Sequence, residues 1–183
     1  DDSQFKPWLR DEFDHRCVYC LCRESWLPDR HRGFSVEHVR PRSMAAGGPT
    51  AYDSLAYACC FCNSLRGAAA LPLDPRCGLG GHLEVLADGT IRGKTPAGVE
   101  FIDACWLDRP EMTSFRLNIL ETLAYLGSHA EGGAAALLGR YLAGPDDLPD
   151  LPLLRPPGGN TRPEGIGRSA FARRQRGELP AVY

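Results

Sequence analysis

The sequence predicts an α+β fold, and three observations predict it. Two β-favouring runs, residues 34–39 (FSVEHV) and 54–58 (SLAYA), flank an irregular stretch containing Pro41, Gly47, Gly48 and Pro49, as the arms of a hairpin would. Helical periodicity marks residues 3–15, a segment opening near Cys60, and the pair 111–127 and 130–142. Cysteines bracket the β runs, with Cys17 and Cys20 before them, Cys59 and Cys62 after them, and 38 residues between the pairs. The expectation is a ββα core clamped by cysteines and extended by a second hairpin and C-terminal helices.

The elements follow in order. Phe5, Trp8, Leu9 and Phe13 are spaced like one face of a short helix. Cys17-Val-Tyr-Cys20 suits a tight knuckle, and CFCNSLRGAAA reads as a helix from about Cys60. Residues 82–93 (HLEVLADGTIRG) are two β-favouring runs around Asp88-Gly89, a strong hairpin signal. Leu117, Ile119, Leu120, Leu123 and Leu126 supply the apolar positions of the helix over 111–127, and Gly127-Ser128 separates it from the next. Six prolines between residues 144 and 164 predict an extended arm, and Arg168, Arg173, Arg174 and Arg176 make the tail basic. Residues 1–70 are thus read as the core, 71–143 as an extension of the same domain, and 144–183 as arm and tail.

Composition narrows the function classes. With 43% hydrophobic and 24% charged residues in a chain of 183, this is an ordinary globular composition. No apolar run approaches the ~20 residues that span a bilayer, and no charged start with an apolar stretch suggests a secretory leader. The cytoplasm is the expected location. Net charge is −2, so binding to nucleic acid by bulk charge is disfavoured and a local patch, a metal or a partner subunit must supply it. Arg30, Arg32, Arg40 and Arg42, flanking the end of the first strand, are candidates for that patch.

Eight cysteines demand an account, and six of them fall in two clusters, each with a Cys-x-x-Cys. Paired clusters separated by a long insert have zinc-ligand spacing. Cys17, Cys20, Cys59 and Cys62 would complete a tetrahedral shell with no open position, so the Zn²⁺ is structural. Cys22 and Cys60 are out of register with the pairs and read as packing residues. Buried free thiols and thiol redox chemistry are the competing accounts of the same cysteines.

The insert narrows the reading further. Glu37-His38 ends a strand and Pro41 follows. A Gly-Gly loop then leads to Asp53-Ser54-Leu55, to Cys59-x-x-Cys62-Asn63 and to Arg66-Gly67. Over roughly residues 5–70 this order resembles the HNH endonucleases, in the subgroup with two Cys-x-x-Cys pairs. A weaker likeness continues through residues 74–99 and the segment LDRPEMTSFR. The resemblance implies a zinc-clamped ββα-metal core of treble-clef-like form and metal-dependent hydrolysis of phosphodiesters, with DNA favoured. It implies that Glu37 and Asn63 hold a catalytic Mg²⁺ or Mn²⁺ and that His38 activates water. Histidine suits that task because its unperturbed pKa lies near neutrality; a hard cation on oxygen ligands suits charge neutralisation.

Neighbouring strand residues face opposite ways, so Glu37 and His38 share one site only if the strand twists or bulges there. Ser54 stands where the family has a central asparagine that orients the histidine; it offers fewer groups and a shorter reach, with Asp53 beside it to share the duty. Arg66 stands where lysine is common and, with Arg40 and Arg42, is a candidate for phosphate contact. His82 opens the second hairpin and reads first as structural; His15, His31 and His129 carry no pattern. The rival class is a non-catalytic zinc module that binds nucleic acid or a partner protein, which needs the cysteines but not Glu37, His38 and Asn63 together.

Overall fold

Phe5 and Leu9, four residues apart and both buried, set the first element in the computed structural model. The structure describes residues 2–39, 52–68, 70–77, 79–129 and 131–142, and residue 176. The loop carrying Arg40 and Arg42, the proline arm and the tail arginines other than Arg176 lie outside the described residues. The chain divides into two units, one reaching Asn63 and the other beginning at Ser64.

In the first unit a 3-10 turn, Asp2–Phe5, leads into helix α1, Lys6–Glu12, with Pro7 in its opening turn where a missing N–H costs nothing. The helix is shorter than the apolar spacing through Phe13 implies. Asp14 and His15 both take left-handed backbone, φ 53° and 57°, and this turns the chain into the first cysteine knuckle. Arg16 bridges Arg23 across that knuckle. Two further 3-10 turns, Glu24–Trp26 and Arg30–Gly33, deliver strand β1, Phe34–His38. It pairs antiparallel with β2, Leu55–Cys59, and helix α2, Cys60–Arg66, follows without a break.

The expected ββα order is therefore present. Ser54 closes a 3-10 turn instead of opening the second strand, and its carbonyl accepts from Val39 N–H at 3.1 Å, extending the pairing past His38. Every residue of β2 is buried, with α1 packed against it and Val18 N–H of the knuckle donating to Tyr57 O at 2.8 Å. Phe34 and Tyr57 stack with ring centroids 4.8 Å apart.

The second unit holds the expected hairpin, β3 (Leu83–Val85) and β4 (Ile91–Gly93), paired from Leu83↔Gly93 to Val85↔Ile91. Asp88 Oδ1 accepts from Thr90 N–H and Oγ at the turn, and Gly89 takes φ 79°. Those hydrogen bonds also pull the Asp88 carboxyl below its ordinary pKa. Helix α3, Pro96–Cys105, is announced by capping rather than by a clear apolar stripe: the Thr95 side chain accepts from Gly98 N–H and Pro96 opens the helix. Helices α4 (Pro110–Ser128) and α5 (Gly132–Leu142) match the expected pair. On α4 the buried stripe is Met112, Arg116, Ile119, Leu123 and Leu126, while Leu117 and Leu120 are half-buried. Arg116 holds a core position by donating Nε–H to Gly89 O at 2.6 Å.

Candidate metal centre

The knuckle and the β2–α2 junction bring the two cysteine pairs together. Cys17 and Cys20 flank a reversal in which Leu21 N–H donates to Cys17 O and Cys17 N–H to Cys22 O, each at 2.9 Å. Cys59 is the last residue of β2 and Cys62 lies on the first turn of α2, whose N–H donates to Cys59 Sγ at 3.4 Å. All four thiols are buried, and their sulfurs lie within 4.8 Å of one another. Four thiolates about 2.3 Å from a single zinc stand roughly 3.8 Å apart; Cys20 and Cys59 sulfurs are separated by 3.9 Å. Donor type, number and spacing thus fit a structural Zn²⁺ with no position left for substrate.

The thiols also behave as a group. Hydrogen bonds from Cys17, Cys20, Cys22 and Cys62 hold Cys59 far below the ordinary thiol range. Interaction with Cys17 first, then Cys20 and Cys59, pushes Cys62 far above it. Crowded buried sulfurs cannot all carry charge unaided, and a bound cation removes that obstacle by making every thiolate favourable. Among the described residues, these four cysteines are the group of three or more His, Cys, Asp or Glu side chains assembled in this way.

Two cysteines read as packing residues part company. Cys22 is buried, with the Cys20 thiol donating to its sulfur at 3.3 Å. Cys60 is exposed, because Cys59 and Cys62 face the clamp and the intervening helical positions turn outward, as the 56% exposure of Phe61 also shows.

The remaining site residues are placed by the β1–β2 ladder. Pairing is residue for residue through Glu37↔Ala56 and His38↔Leu55, without the bulge that would re-aim one of them. Phe34, Val36 and His38 therefore share one face and Ser35 and Glu37 the other. Asn63 Nδ2 donates to Ser35 Oγ at 2.8 Å, which puts it on the side of Glu37. Glu37 is 2% exposed. His38 is half-buried on the opposite face, its Nε2 2.9 Å from Asp2 Oδ2. Asp2 is a partner that motif spacing does not reveal, since the two lie 36 positions apart.

Arg66 is buried at the end of α2. His82 Nδ1 lies 2.9 Å from Thr95 Oγ1 and so braces the α3 cap, the structural role that its place in the hairpin suggests. No helix among the described residues is long and apolar enough to cross a membrane. Comparison with protein-family models, with curated proteins and with solved structures gives no match. The four-cysteine cluster stands on geometry, whereas the likeness to HNH nucleases stands on the residue pattern alone.

Proposed function

We propose that this chain is a zinc-clamped module that acts on nucleic acid, and that its action is metal-dependent hydrolysis of phosphodiester bonds, DNA being the favoured substrate. The observation that carries the reading is the order β1, β2, α2, with Cys59 and Cys62 fastening the helix to the hairpin and Glu37, His38 and Asn63 distributed over that unit. Glu37 and Asn63 present oxygen donors on one side of the ladder, the donor type that Mg²⁺ or Mn²⁺ takes. When bound, such a cation neutralises charge on the scissile phosphate.

His38 would take the proton from water only if the end of β1 turns, because in the regular ladder it faces away from Glu37 and Asn63. The carboxylate of Asp2, 2.9 Å from His38 Nε2, accepts from the imidazole there and orients the ring. Contacts to substrate phosphates would fall to Arg40 and Arg42, which follow β1 in the sequence; Arg66 is buried. Ser54 orients the strand end through its carbonyl bond to Val39.

A second reading is favoured by a specific observation: among the described residues only the cysteines stand gathered around a common point, and the clamp alone suffices for a non-catalytic module that binds nucleic acid or a partner protein. Plasmid DNA incubated with Mg²⁺ or Mn²⁺ separates the two. The wild type is expected to cut, and His38→Ala to lose about 100- to 10,000-fold in rate with zinc content, folding and DNA binding unchanged. Ser54→Asn should keep or raise the rate. Binding without cutting in Mg²⁺, Mn²⁺, Co²⁺ and Ni²⁺, unrescued by Ser54→Asn, establishes the second reading; equal cutting by wild type and His38→Ala removes His38 from the chemistry.

A further inference from the structure

A fifth buried thiol, Cys22, stands beside the four of the clamp. Cys22 Sγ lies 3.3 Å from Cys20 Sγ, and Cys22 is as inaccessible as the four ligands. The backbone enforces this. Leu21 takes φ 61°, and the bonds from Leu21 N–H to Cys17 O and from Cys17 N–H to Cys22 O close the knuckle, so residues 20 and 22 end side by side. A buried cysteine often serves only as a small apolar filler. Here, however, its sulfur touches a ligand sulfur. The separation is shorter than the roughly 3.8 Å that two thiolates keep on a single zinc. Cys20 and Cys22 therefore cannot bind the same ion together in this arrangement; they are alternatives for one coordination position.

We propose that Cys22 is a reserve ligand of the zinc site, able to take the place of Cys20 and complete a four-thiolate shell with Cys17, Cys59 and Cys62. With zinc bound, the exchange would need no redox chemistry: Cys22 would give up its thiol proton on becoming a ligand and Cys20 would take one up on ceasing to be one. Among the described residues Cys62 has no such neighbour, the adjacent spare thiol, Cys60, being exposed on the outer side of α2. The site is thus tolerant at one corner and intolerant at the opposite one. This inference concerns the structural metal alone and holds whether or not the chain cuts nucleic acid.

The test is Co²⁺ titration of the full chain, in which the intensity of the sulfur-to-cobalt charge-transfer band counts bound thiolates, with Zn²⁺ competition giving affinity. Wild type, Cys22→Ser and Cys20→Ser should each bind one ion with four-thiolate intensity. Cys20→Ser should weaken affinity no more than about 10- to 100-fold, the scale of outer-shell changes. Cys20→Ser/Cys22→Ser and Cys62→Ser should show three-thiolate intensity and a loss at least ten times larger. A three-thiolate spectrum for Cys20→Ser, or an affinity equal to that of the double variant, overturns the proposal. So does failure of Cys20→Ser to fold with zinc where Cys22→Ser folds, since a reserve ligand must rescue it. Collapse of Cys22→Ser itself makes Cys22 an obligatory packing residue, which also contradicts the proposal.

Discussion

Glu24 is where a single side chain ties together three parts of the first unit. Its carboxylate accepts Nε–H and Nη2–H of Arg10, both at 2.8 Å, and the hydroxyl of Tyr57. These partners come from α1 and from β2, so one buried charge joins the helix, the turn after the knuckle and the strand. Burial, then the charge of Glu24, pushes the Tyr57 phenol well above its ordinary range and keeps it a donor. A buried pair stabilises little relative to an apolar filling, but removing one partner leaves the other charge uncompensated. Glu24→Ala is therefore expected to cost about 3–5 kcal/mol, and Tyr57→Phe only about 1 kcal/mol, in urea unfolding of zinc-loaded protein. Equal effects of the two would show that charge compensation is not what matters here. Nothing in the sequence singles out this trio. Arg10 and Glu24 are separated by a double left-handed turn at Asp14 and His15, and propensity gives no warning of it. The cysteine ligands were legible for the opposite reason: their identity restricts their chemistry, and their spacing restricts their partners.

At the scale of elements, legibility followed how local each signal is. The Asp88-Gly89 turn specifies its own hairpin, and the register confirms the two short strands. Helix α3 depends on a cap, Thr95 with Pro96, followed by buried Phe101, Ile102 and Cys105, a signal easily missed beside the stronger stripe of α4. That stripe contains Arg116, which no apolar pattern selects; its Nε–H donates to the carbonyl of Gly89 and its Nη2 to Thr113 Oγ1. Gly89 itself is constrained twice. Its φ of 79° suits glycine, and a Cβ there would approach Thr113 O to 2.5 Å and Leu117 N to 2.7 Å. Since strained backbone costs roughly 1–3 kcal/mol by itself, Gly89→Ala should destabilise the second unit by about 2–3 kcal/mol or more. Hydrogen exchange should show the loss at amides of β3, β4 and α4. An alanine variant with wild-type protection there would mean that the hairpin can move away from the helix at little cost.

Across the whole molecule, the decisive contrast is between two kinds of metal. A net charge of −2 gives little general attraction to polyanions, so any grip on nucleic acid must be concentrated near the metal-bearing unit and weakened by salt. The four buried thiols suit an ion that is part of the fold; in the proposed reading, Glu37 and Asn63 would hold a second, exchangeable ion through oxygen. Removing the two should have different consequences. On the proposed hydrolytic reading, dialysis into buffer without divalent cations should abolish cutting, leave one zinc per chain and leave the circular dichroism spectrum unchanged; adding Mg²⁺ or Mn²⁺ should restore the rate. Titration with a mercurial that displaces zinc from cysteine should instead dismantle the first unit, because zinc binding to such a site is folding energy, about 10–16 kcal/mol in small zinc domains at neutral pH. Mg²⁺ should then restore nothing until thiols are freed and zinc returned. Secondary structure surviving complete zinc loss would show that the apolar contacts of Phe34, Tyr57, Leu9 and Leu55 hold the unit without its clamp. The cysteines would then be redox or packing residues, and the zinc-dependent reading of this fold would have to be abandoned.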